Sequence, residues 1–111
     1  MGGRGEDIAL RYLVRRGHEV LARNYRTRRG ELDLVTRLGD TLVIVEVKLR
    51  RSTAYGDPLE AVTPRKREQL RLMAEEYLAE NAPTFDALRF DVVGILLLGD
   101  RARITHIEDA F

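Results

Sequence analysis

The sequence predicts an α/β sandwich, a mixed five-stranded sheet flanked by helices, and three observations carry that prediction. Residues 31–37 and 41–48 alternate apolar and polar side chains about the turn Leu38-Gly39-Asp40, which is the pattern of a β-hairpin. Between residues 41 and 98 a strand, a helix and a second strand follow one another, with enough chain for a parallel, right-handed crossover. Ahead of them, residues 4–16 repeat apolar side chains at helical spacing and need a sheet face to cover.

The elements follow in chain order. In the first helix Ala9, Leu10, Leu13 and Val14 form one stripe, and Gly17 supplies the stop. Residues 18–23 read as the first strand, and residues 24–30, with Arg26, Arg28 and Arg29, as a basic loop leading into the hairpin. Along the second hairpin strand, Val43, Val45 and Val47 face one way and Leu42, Ile44, Glu46 and Lys48 the other. Residues 49–62 form a polar loop containing Arg50, Arg51, Tyr55 and Gly56-Asp57-Pro58. Thr63 caps and Pro64 opens a helix that runs to about Asn81, with Leu70, Met73, Ala74, Tyr77 and Leu78 as its buried stripe. Residues 87–98 and 101–107 pair across Gly99-Asp100 as the last two strands. No repeat or low-complexity segment divides the chain, so residues 1–111 are read as one domain.

Composition removes several classes of function. The chain has no cysteine, which excludes disulfides and thiolate metal sites. No apolar run approaches the roughly 20 residues of a membrane span, and residues 1–6 lack a signal-peptide core, so a cytoplasmic protein without a membrane partner is expected. A net charge of +1 argues against a coating protein of the histone kind and allows a localised basic face. Such a face is foreshadowed by eight arginines against three acids in the first thirty residues.

The chemistry concentrates where Asp33 is followed by Glu46-Val47-Lys48. Two carboxylates on neighbouring strands suit Mg²⁺ or Mn²⁺, hard cations that prefer oxygen ligands and keep several waters. Lys48, on the face of Glu46, suits a catalytic lysine that orients a water or neutralises a phosphorane. Only Lys48 and Lys66 among the nineteen basic residues are lysine, which sets these two positions apart from the arginine bias of the chain. An ordinary ion pair between Glu46 and Lys48 is the plainer alternative. Glu6 lies on the buried stripe of the first helix and reads either as a third, auxiliary metal ligand or as a first-turn acid complementing the helix dipole. Glu31 is placed to orient a water or a basic neighbour. Arg26, Arg28, Arg29, Arg50, Arg51, Arg65 and Lys66 are candidate phosphate contacts, Arg67 and Arg71 flank them, and Tyr55 is a candidate stacking residue. Asp91, inside a strand, calls for a basic partner rather than a metal, and His18 and His106 read as strand-end polar residues.

These residues together resemble the bacterial YraN family, also called UPF0102. The resemblance is carried by Gly5-Glu6 with Ala9, Asn24-Tyr25-Arg26, Gly30-Glu31-Leu32-Asp33-Leu34, Val45-Glu46-Val47-Lys48-Leu49-Arg50, Gly56-Asp57-Pro58, Lys66, Ala74, Tyr77-Leu78, Arg89-Phe90-Asp91-Val92-Val93 and Ala110-Phe111. It covers almost the whole chain. Leu32 and Ile44 stand where the family commonly has isoleucine and phenylalanine, changes that keep core character. The resemblance implies a restriction-endonuclease-like fold and a predicted nuclease. The core of Glu6, Asp33, Glu46 and Lys48 is also similar to that of archaeal Holliday-junction resolvases, which implies branched DNA as substrate and a homodimer. The expected function is therefore a Mg²⁺- or Mn²⁺-dependent nuclease acting on DNA, with Asp33 and Glu46 as ligands. The alternative is a non-catalytic nucleic-acid-binding or partner-recruiting module on the same fold.

Overall fold

Local sequence rules build the sheet, and the two helices then cover its two faces. A computed structural model describes residues 3–52 and 56–111. In chain order the elements are α1 (Arg4–Arg15), β1 (Glu19–Thr27), β2 (Gly30–Leu38), β3 (Thr41–Arg50), a 3-10 turn (Pro58–Ala61), α2 (Pro64–Asn81), β4 (Ala87–Leu98) and β5 (Arg101–Ile107). The expected mixed five-stranded sheet is present, with the strands side by side in the order β1-β2-β3-β4-β5. Only β3 and β4 run parallel, from Thr41 beside Ala87 to Arg50 beside Leu96, and α2 makes the crossover between them.

The faces are separate cores. Leu32, Val35, Leu42, Ile44, Phe90 and Val92 pack with Leu70, Met73, Ala74 and Tyr77 of α2. Leu34, Val43, Val45, Val93 and Ile95 pack with Ala9 and Leu13 of α1. At about 25 cal/mol per Å², each fully buried leucine or isoleucine in these layers contributes roughly 1.5–3 kcal/mol. Thr63 caps α2 through its Oγ1, which accepts from the Lys66 amide at 3.2 Å, a contact worth about 1 kcal/mol. The chain end returns to the α2 face, where Phe111 stacks on Phe90 with ring centroids 5.1 Å apart.

Four expectations need correction. β1 runs on through Asn24 to Thr27, paired with β2 as far as Thr27 beside Gly30, so Arg26 stands on a strand and only Arg28 and Arg29 occupy the turn. Backbone pairing overrides the polarity of that segment. Val14 is half exposed and lies outside the stripe of α1. β3 continues to Arg50, which shortens the loop after it. Arg67 and Arg71 are committed to packing, since both guanidinium groups lie over the ring of Phe111 and Arg71 also lies over Phe90.

One feature of β2 matters for the site. Leu32 and Val35 are three residues apart yet share the α2 face, so the alternation slips by one position across Asp33 and Leu34. Opposite the slip, Asn24 of β1 has the left-handed backbone, φ 51°. The β2–β3 pairs end at Leu34 beside Val45, and the two strands part beyond it.

Candidate active site

Asp33 fills the gap where β2 and β3 part. Its Oδ2 accepts a hydrogen bond from the Val47 amide at 2.8 Å, replacing the strand partner that Val47 no longer has. The same position puts its carboxyl in contact with that of Glu46, which is buried at 5% exposure. Burial, first, and the negative charge of Glu46 raise the Asp33 pKa from 3.8 to about 8, with a smaller push from Glu6 and against the Val47 hydrogen bond. A carboxyl so placed does not ionise cheaply, and Asp33 keeps its proton at neutral pH.

Two ammonium groups converge on Glu46. Lys48 Nζ lies 3.3 Å and Lys66 Nζ 3.7 Å from the same Oε2. Lys48 reaches it because residues two apart on β3 share a face, and Lys66 because the first turn of α2 passes over that end of the strand. The two lysines of the chain therefore meet at one carboxylate, as their rarity suggested.

Glu6 is near but is otherwise engaged. Its Oε1 accepts from the Gly3 amide at 3.0 Å, which caps α1, and from Asn24 Nδ2 at 3.0 Å. Among the described residues no three His, Cys, Asp or Glu side chains gather closely enough to hold a metal ion, and Glu6 acts on Asp33 through its charge. The residues present do fit a cation that takes two protein carboxylates and completes its shell with water and phosphate, as Mg²⁺ commonly does. The raised pKa of Asp33 marks a place where positive charge is favoured.

Glu31 turns to its basic neighbour, accepting from Arg26 at 3.0 Å, and stands apart from the carboxyl pair. Arg29 and Arg65 come together along an open groove of about 490 Å³ beside α2, and Arg28 stands exposed in the same turn. Arg50 donates to the Leu49 carbonyl, Arg51 is exposed, and Tyr55 lies outside the described residues. The sequence reading missed Arg103 and Thr105 of β5. With Arg50, Pro58 and Gly94 they line a hollow of about 270 Å³ on the face of Lys48, whose neighbour across the ladder is Gly94. Alternation along β5 would have found them, since positions 103 and 105 share that face. Gly94 is required for close approach: a Cβ there would meet Pro58 Cγ at 2.2 Å.

Away from this cluster, Asp91 is fully buried on the α1 face, and Arg89 is its expected basic partner. Its oxygens accept from Arg89 Nε and an Arg89 terminal nitrogen, each at 2.9 Å, from His106 Nε2 at 2.7 Å and from the Asp109 amide at 3.0 Å. Burial alone would raise its pKa, but these bonds outweigh burial and hold it below the ordinary value. His106 is thus part of a buried network rather than a strand-end residue. His18, also buried, bonds Thr36 Oγ1 at 2.8 Å.

The fold and site define a small α/β protein with a carboxylate pair and two lysines at one end of its central strands. The chain belongs to the UPF0102 family: the model described as "Uncharacterised protein family UPF0102" matches residues 5–95. A UPF0102 protein of Rhodococcus opacus is 48% identical over 112 residues, covering 100% of this chain and 95% of the relative. One from Syntrophomonas wolfei is 49% identical over 107 residues, covering 96% and 93%. One from Geobacter sulfurreducens is 46% identical over 112 residues, covering 100% and 88%.

Proposed function

We propose that the chain is a metal-dependent nuclease that hydrolyses phosphodiester bonds of DNA. The observation that carries this reading is the buried Asp33–Glu46 pair with two ammonium groups on Glu46. Asp33 and Glu46 would hold the cation, and a bound Mg²⁺ or Mn²⁺ would supply Lewis acidity and a water of lowered pKa. Asp33 would give up its proton when positive charge enters the site. Lys48 orients the attacking water or balances the charge that grows on the phosphorus oxygens, and Lys66 holds Glu46 from the other side. Arg28, Arg29 and Arg65 position the phosphate backbone without selecting sequence.

The restriction-endonuclease-like classification belongs to this reading, supported by the mixed sheet and by the carboxylates and lysine at the parting of two central strands. So do branched DNA, a homodimer and a cytoplasmic location. Among the described residues no helix is long and apolar enough to cross a membrane.

The test is incubation of end-labelled four-way-junction, flap, single-stranded and linear duplex DNA with the protein in Mg²⁺ or Mn²⁺, with Asp33→Asn alongside. Cleavage by the wild type alone is the expected result, and the preferred substrate identifies the DNA shape. Absence of cleavage on every substrate would refute the nuclease and leave a binding module.

A further inference from the structure

On the opposite face of the sheet from Glu46, α1 and β5 enclose an open groove of about 520 Å³ lined by Ile8, Arg11, Tyr12, Arg15, Arg16 and Ile104. From this groove we infer that the chain carries a second nucleic-acid contact, which binds the sugar–phosphate backbone flanking the segment at the carboxyl pair. The inference deepens the nucleic-acid reading above and rests on it.

The first support is charge without a partner. Arg23 pairs with Asp7, Arg26 with Glu31 and Arg89 with Asp91, so the carboxylate partners of these arginines lie away from the groove. Among the described residues Arg11, Arg15 and Arg16 form no ion pair. In a chain with 18 acidic and 19 basic residues, three adjacent unpaired guanidinium groups are a local excess of positive charge. Arg11 and Arg15 are four apart on α1 and therefore stand side by side, about 6 Å from one another along the helix.

The second support is a built wall. The Tyr12 hydroxyl bonds His106 Nδ1 at 3.0 Å, and the other ring nitrogen of His106 is held by the fully buried Asp91 at 2.7 Å. The Tyr12 and His106 rings meet edge to face at 5.5 Å. Arg16 lies over the Tyr12 ring, its Cζ 5.0 Å from the centroid. A buried charge network thus fixes an aromatic ring, and the ring fixes a guanidinium group at the mouth of the groove. Pre-organised arginine loses less side-chain freedom on meeting phosphate. The groove is open and its charges are set out along a helix, which suits a backbone of repeated phosphates better than a single small anion.

The groove does not open onto the carboxyl pair. α1 separates them, touching β1 along one flank through Asp7–Arg23 and Glu6–Asn24, and β5 along the other through Tyr12–His106. A nucleic acid that meets both must pass around the end of α1, so the substrate extends well beyond the bond that is cut.

The experiment is fluorescence anisotropy of a labelled 30-base-pair duplex in EDTA over a salt series, using the full chain, Arg11→Ala/Arg15→Ala and Arg11→Lys/Arg15→Lys. Thermal melting of each variant checks the fold, and both positions are exposed. The alanine pair is expected to bind at least about tenfold more weakly at low salt and to flatten the slope of log K against log salt by about 1.8, two phosphate contacts' worth. The lysine pair should keep most of the affinity. Equal affinity and slope for wild type and the alanine pair, equal losses in the two variants, or no DNA binding by the wild type would overturn the inference. Because no cation is present, a protein that binds through the groove but never cleaves would refute only the nuclease. A nuclease that ignores these charges would refute only the groove.

Discussion

Asp33 on β2 and Asp91 on β4 flank the central strand β3 of one sheet, both largely removed from water, and their carboxyl groups are treated in opposite ways. Asp91 receives hydrogen bonds from Arg89, His106 and the Asp109 amide and is held in its charged form. Asp33 receives one backbone hydrogen bond, faces a second carboxyl and is pushed up to about 8. Burial is common to both, so the number and sign of the partners decide the outcome. A carboxylate satisfied on every side holds structure together. A pair left in mutual repulsion stores a preference for positive charge, which is what a catalytic site requires and a scaffold does not.

The largest effect should come from removing the chemistry itself. If the proposed reaction is right, Asp33→Asn and Lys48→Ala should each lower the rate of DNA cleavage by about a thousandfold or more, measured in single-turnover assays. Asp91→Asn tests the opposite pole: it leaves a partly buried Arg89 and His106 facing a neutral amide and should destabilise the fold by about 2–3 kcal/mol, read from urea unfolding. Asp33→Asn should do the reverse in metal-free buffer at pH 7, stabilising the protein by about 1–2 kcal/mol, because folding no longer requires a proton to be taken up by an acid that is ionised in the unfolded chain, while the amide oxygen can still accept from Val47.

The pH response sharpens the contrast further. An acid raised from 3.8 to about 8 binds more protons in the folded than in the unfolded chain, so its contribution to stability falls as pH rises through that window. An acid held below its ordinary value contributes stability above that value and loses it as pH falls through the lowered one, which places the Asp91 loss in acid. Calorimetry of Mn²⁺ binding should accordingly show affinity rising by up to about tenfold per pH unit towards pH 8 and levelling off above it. Weak binding independent of pH would separate Asp33 from the cation.

Much of this arrangement was readable in the residues. The hairpin followed from alternation and its Gly39 turn, and the shared face of Glu46 and Lys48 followed from a spacing of two. Lys66 was legible because it stands one turn ahead of the buried Leu70 stripe. The slip in β2 was not, since it lies opposite Asn24 with its left-handed backbone, in a strand that also continues four residues further than its polarity suggests. Glu6 illustrates another limit: helical spacing placed it towards the protein, but the Asn24 amide that engages it comes from a different element. The network around Asp91 was legible only in part, because it joins β4 to His106 and to a backbone amide beyond β5. The groove on α1 had no signal beyond an excess of arginine, since only the docking of β5 gives it a second wall.

The hydrogen bond from the Val47 amide to Asp33 gives the molecule a reporter of its own. That proton points at one oxygen of the shared carboxyl pair, so its chemical shift follows the charge there while the surrounding strand stays paired to β4. A titration followed at this one backbone resonance would display the ionisation of the pair, and addition of Mg²⁺ at fixed pH would shift it in the direction of the ionised form. The ladder's missing rung is thereby an observable, readable in the intact chain before any substrate has been found.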